Sequence, residues 1–122
     1  MSTVKALFVV LDGLLPSPAR LLGWQQLAGL LGDFRALGYK VIGIKLGHTT
    51  RPWETCRDTV EPALDALVEV DDEFVPTAWS LARRFSLNMN RSILVSAHDA
   101  HSRWAHDAGV LRFETPAGLF GI

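Results

Sequence analysis

Residues 4–11 read Val-Lys-Ala-Leu-Phe-Val-Val-Leu, and the run stops at Asp12-Gly13. A nearly unbroken apolar segment with β-branched residues is the pattern of a strand buried on both faces. Such a strand needs helices above and below its sheet, which confines the chain to α/β architectures. The rest of the sequence agrees. Tyr39 to Leu46 (YKVIGIKL) reads as a second buried strand, Leu67 to Val70 as a short third, Arg91 to Ala97 (RSILVSA) as a fourth and Val110 to Phe113 as a last. Leu27, Leu30, Leu31, Phe34 and Leu37 recur at helical spacing, so a helix is predicted from about Ala19 to Leu37, with Gly38 as its cap. Gly23, Gly29 and Gly32 within it are expected to mark close approach to the sheet. Pro62 suits the start of a helix reaching about Leu67. Pro76 is expected to open another, with Trp79, Leu81, Ala82 and Phe85 buried. His101 to Ala108 is a short helix ended by Gly109. The alternation predicts a three-layer α/β sandwich, with a parallel sheet of about five strands and helices on both faces. Residues 1–122 are read as one domain.

Composition narrows the functional classes. Over 122 residues, 48% hydrophobic and 20% charged, the chain is globular in character. The net charge of −1 supplies no general attraction to nucleic acid or to an anionic membrane, so neither is expected as a partner. The single cysteine, Cys56, excludes an internal disulfide and a multi-cysteine zinc site. The N-terminal apolar run is interrupted by Asp12 and is shorter than the roughly 20 residues a membrane helix needs, so a cytoplasmic location is expected.

In a parallel sheet the ligand crevice lies beyond the carboxyl ends of the strands. That rule singles out Asp12, residues 45–50, residues 71–76 and residues 96–101. Two of these stretches carry a resemblance. The first strand with Leu11-Asp12-Gly13-Leu14-Leu15, and the stretch ILVSAHDAHSRWAHDAGV ending at Val110, resemble the haloacid-dehalogenase-like (HAD) superfamily in its small form without a large cap. Helix one followed by Gly38-Tyr39-Lys40, and Pro76 leading to Ala82-Arg83-Arg84-Phe85, are similar to it as well. The resemblance implies phosphotransfer chemistry. One aspartate attacks phosphorus, a second serves as general acid and base, a hydroxyl and a lysine hold the phosphoryl oxygens, and acids after the fourth strand hold Mg²⁺.

Carried over residue by residue, that chemistry is incomplete. Asp12 takes the general acid/base position, but the nucleophile position falls on Val10, which has no nucleophilic atom. The hydroxyl position falls on Lys45, with Thr49 or Thr50 able to supply a hydroxyl if the loop is displaced. The lysine position falls near Val75, and no lysine follows Lys45 anywhere in the chain. The fourth-motif acids fall on Ala97 and His101, with Asp99 close by. The reading is therefore a HAD-like domain without phosphotransfer, acting as a binding, regulatory or interaction module towards a protein partner or a second copy of itself. The alternative is a Mg²⁺-dependent phosphatase with a rearranged site built from Asp12, Thr49, Thr50 and Asp99.

Other residues add candidates. Asp12 is either a remnant acid and metal ligand or the ion-pair partner of Lys45. His98 and His101 are three apart, and with Asp12 or His48 they could ligate a transition metal, while His106 points elsewhere. Against that stand solvated or locally capping histidines, and no cofactor at all is the primary expectation. The loop His48-Thr49-Thr50-Arg51-Pro52-Trp53 offers Arg51 to a phosphate or carboxylate and Trp53 to a ring or a partner pocket, or is an ordinary loop. Cys56 has no sequence neighbour but His48 to activate it. The four tryptophans, Trp24, Trp53, Trp79 and Trp104, either complete a small core or mark an interface.

Overall fold

A computed structural model describes residues 4–11, 23–47, 57–71 and 73–120, apart from the Trp24 side chain. The first apolar run forms β1 (Lys5–Val10). Helix α1 (Trp24–Ala36) follows, then β2 (Tyr39–Leu46), β3 (Ala66–Val70), α2 (Phe74–Phe85), β4 (Ile93–Val95), α3 (Ser102–Ala108), β5 (Arg112–Glu114) and α4 (Pro116–Phe120). All pairings are parallel, in the order β3-β2-β1-β4-β5. The chain builds outward from β1 to β3, then crosses back to lay β4 against the free side of β1. The switch point therefore lies between the carboxyl ends of β1 and β4.

Alternation along β1 splits the core in two. Ala6, Phe8 and Val10 face α2 and α3, where they join Ile42, Ile44, Leu94, Phe74, Ala78, Leu81 and Ala105. Leu7, Val9 and Leu11 face the other way, against Leu27 and Leu31 of α1 and Leu119 and Phe120 of α4. Ala6 to Val10 are wholly buried, as a central strand covered on both faces requires. At the opposite, amino-terminal edge the buried Ser92 hydroxyl accepts the Ala6 N–H at 2.9 Å and donates to the Asn88 carbonyl at 2.8 Å, which ties β4 to β1.

Helix ends follow from local chemistry. Gly38 (φ 95°) and Gly109 (φ 76°) adopt the left-handed conformation that closes α1 and α3, as expected of both. Gly23, Gly29 and Gly32 differ from expectation: a Cβ at any of them would meet nothing within 4 Å, so they mark no close approach to the sheet. Helix α1 is described from Trp24, and residues 19–22 lie outside the described residues.

Several boundaries move for physical reasons. The helix expected from Pro62 to Leu67 is a single 3-10 turn, Glu61–Ala63, continuing helical residues 57–60. It stops there because Asp65 is claimed by β2: its carboxylate accepts the Val41 N–H at 2.8 Å, and its own N–H donates to the Val41 carbonyl at 2.7 Å. Arg35 approaches the same carboxylate at 3.4 Å. Helix α2 starts at Phe74, two residues before Pro76, because a proline in the first turn forfeits only an N–H that has no partner inside the helix. Its buried stripe is Phe74, Ala78 and Leu81, so Trp79, about 100° round from Ala78, is 55% exposed rather than buried. β4 is shorter than the apolar run around it, and β5 begins at Arg112. Helix α4 was not expected. Thr115 caps it, its hydroxyl accepting the Gly118 N–H at 3.1 Å.

Candidate functional site

The carboxyl edge of the sheet carries two described clusters. At the end of β2, Lys45 lies in register with Glu69 of β3, and the two side chains meet at 3.8 Å. Lys45 is interleaved with Ile44 and Leu46 of the α2/α3 core, so alternation puts it on the α1 face of the sheet. Its side chain is mostly covered, whereas that of Glu69 is largely exposed. The expected Asp12–Lys45 pair cannot be placed, because Asp12 lies outside the described residues. His48, Thr49, Thr50, Arg51, Trp53 and Cys56 lie outside them too. Val10, onto which the resemblance places a nucleophile, is wholly buried in the α2/α3 core.

The second cluster follows β4. Ser96 is fully buried, and its N–H donates to the Glu114 carbonyl at 3.1 Å, extending the β4–β5 ladder by one residue. Its hydroxyl accepts the His98 backbone N–H at 3.1 Å, a turn closed by a serine side chain two residues back. The same oxygen lies 2.7 Å from His101 Nδ1. The 3-10 turn Asp99–His101 then leads directly into α3. The His101 ring stacks on Trp104 at 4.0 Å and 15°, and Trp104 stacks on Phe74 at 5.3 Å and 10°. Phe74 meets Phe8 edge to face at 5.5 Å. A continuous column of rings thus runs from the loop after β4 into the centre of the sheet.

The structure therefore brings His98 and His101 together, with ring centres 5.2 Å apart. Asp99 is exposed between them, and His106 is exposed one turn further along α3. Among the described residues, no group of three or more His, Cys, Asp or Glu side chains is placed to hold a metal ion. Ser96 falls within the stretch 96–101 that the sequence singles out, but sequence reasoning gives it no role there. Its signal was the same as that of Asp12, a polar side chain ending a buried apolar run. Of the tryptophans with described side chains, Trp104 belongs to the ring column. Trp79 holds α2 against α3, its indole N–H donating to the Ala108 carbonyl at 3.4 Å.

No helix among the described residues is long and apolar enough to cross a membrane. No family model matches the chain, and no curated protein matches it. It is similar to the crystal structure of an uncharacterized protein from Corynebacterium glutamicum ATCC 13032 Kitasato. The TM-score is 0.69 at 17% identity, over 98% of this chain and 96% of that one. Together with the strand order, that likeness establishes an α/β protein with a Rossmann-like, all-parallel five-stranded sheet.

Proposed function

We propose that the chain is a HAD-like domain that does not carry out phosphotransfer and acts by binding, as an interaction or regulatory module. The reading rests on Val10. It ends β1 beside the switch point, where the resemblance calls for a nucleophilic carboxylate, and it is an aliphatic side chain sealed in the core. No rotamer of valine supplies a nucleophile, and Asp12 alone cannot be both nucleophile and general acid in one turnover. The lack of any lysine after Lys45 removes the phosphate-holding lysine that the resemblance calls for. Trp79 and Leu111, 55% and 62% exposed, support a protein-facing role, since large exposed apolar side chains are common at interfaces.

Hydrolysis of an aryl phosphate in excess Mg²⁺, run on the wild type beside Asp12→Asn, tests this reading. The expected result is no turnover above the variant. Turnover that needs both Mg²⁺ and Asp12 would overturn the proposal in favour of a rearranged phosphatase.

A further inference from the structure

The outer face of α2 is turned to solvent and is ordered by charge. At about 100° per residue, Glu73, Pro76, Trp79, Ser80, Arg83 and Arg84 fall within an arc of about 140°, and all six are exposed. Glu73 stands at the amino end of this face, where Glu69 and Asp71 line the same hollow. Arg83 and Arg84 stand at the other end, in the last turn. Among the described residues, neither Glu73 nor Arg83 has an ion-pair partner, whereas Arg84 lies 4.9 Å over the Phe85 ring. The middle carries the small side chains of Pro76 and Ser80, flanked by Trp79. The indole N–H of Trp79 donates to the Ala108 carbonyl at 3.4 Å, so this exposed ring is held in place.

Reversed end to end, this order is its own complement. Glu73 and Arg83 are equally far along the helix from the point midway between Pro76 and Ser80. Two copies of α2 packed antiparallel about a two-fold axis through that point set Glu73 of each copy against Arg83 of the other. Pro76 of each then faces Ser80 of the other, which lets the helices approach closely, and the two indoles cover the flanks. A parallel arrangement would set like charges together at both ends, which is costly. A foreign partner would have to supply the reversed pattern, which a second copy already carries. We propose that the chain forms an isologous homodimer through the outer face of α2, closed at both ends by reciprocal Glu73–Arg83 pairs. The dimer rests on the reading of the chain as a binding module and names its partner. A helix of 12 residues spans about 18 Å, so the interface is small and dissociation in the micromolar range is expected.

Sedimentation velocity of the full chain across the micromolar range tests this, and a concentration-dependent dimer is expected. By symmetry Glu73→Arg sets like charges against each other at both ends at once, so it should weaken dimerisation at least tenfold, as should Arg83→Glu. The double variant Glu73→Arg with Arg83→Glu restores opposite signs and should return the dissociation constant to within threefold of the wild type, which a loss of folding could not do. Both positions are exposed, so the variants should fold, as circular dichroism would verify. Asp33→Arg makes the same charge change on the exposed side of α1, across the sheet, and should leave dimerisation within twofold. A monomer at every concentration would overturn the proposal, as would undiminished dimerisation in either single variant, no recovery in the double variant, or an equal loss in Asp33→Arg. Any of these beside an absence of Asp12-dependent turnover would remove this partner and leave the binding reading in place.

Discussion

The carboxyl ends of β4 and β2 share one edge of one sheet, yet they solve the problem of polar groups at that edge in opposite ways. After β4, Ser96 is wholly buried, with its hydroxyl engaged by a backbone N–H and an imidazole, and the imidazole is stacked on a column of rings that reaches Phe8. At the end of β2, Lys45 meets a Glu69 that is mostly in solvent, at 3.8 Å. A buried hydroxyl has no water to fall back on, so its partners are obligatory. An ion pair with one partner in water is screened and contributes little. The difference teaches that this edge buries and pairs its polar groups at β4 and leaves them partly to solvent at β2.

Phe74→Ala should have the largest effect, because it removes the ring that supports Trp104 on one side and packs on Phe8 on the other. A loss of about 3–5 kcal/mol in urea unfolding is expected for a buried phenylalanine. A loss below about 1 kcal/mol would mean that the column does not anchor the β4 end. Ser96→Ala should come next, at about 1–3 kcal/mol, because the His98 N–H and the His101 ring nitrogen lose their shared partner. Glu69→Gln should cost less than about 1 kcal/mol, and the difference should shrink further at high salt. A Glu69→Gln cost equal to that of Ser96→Ala, measured side by side, would break the contrast between the two ends.

How legible each region was in the sequence follows the same physics. β1 and β2 could be read from their apolar runs because burial on both faces leaves no room for alternation. Gly38 and Gly109 could be read as helix ends because only a residue without a Cβ adopts a positive φ without strain. The face of α2 could not be read so well. Trp79 and Ala78 are sequence neighbours, and helical periodicity cannot say which of two adjacent apolar residues turns inward until the sheet is in place. The helix expected from Pro62 to about Leu67 ends at Ala63 because Asp65 is drawn to the Val41 backbone, 24 positions back. The histidine pair was legible as a spacing and Ser96 as a polar residue ending an apolar run, but the contact between them was not, since it depends on where the turn after β4 places His101.

Local pattern thus determined the class of the protein, since the hydrophobicity and β-branching of the central strands β1, β2 and β4 are written residue by residue and demand a covered sheet. The same pattern set the ends of α1 and α3 at glycines, whereas α2 ends at Ser86 in the left-handed conformation. Strand order was decided only in three dimensions, by the crossing from β3 back to β4 that places Ser96 beside the end of β1. The environment of each polar residue was decided there too, because burial depends on what other parts of the chain cover. Ser92 and Ser96, alike in sequence at either end of one short strand, tie backbone to backbone at one edge and hold two histidines at the other.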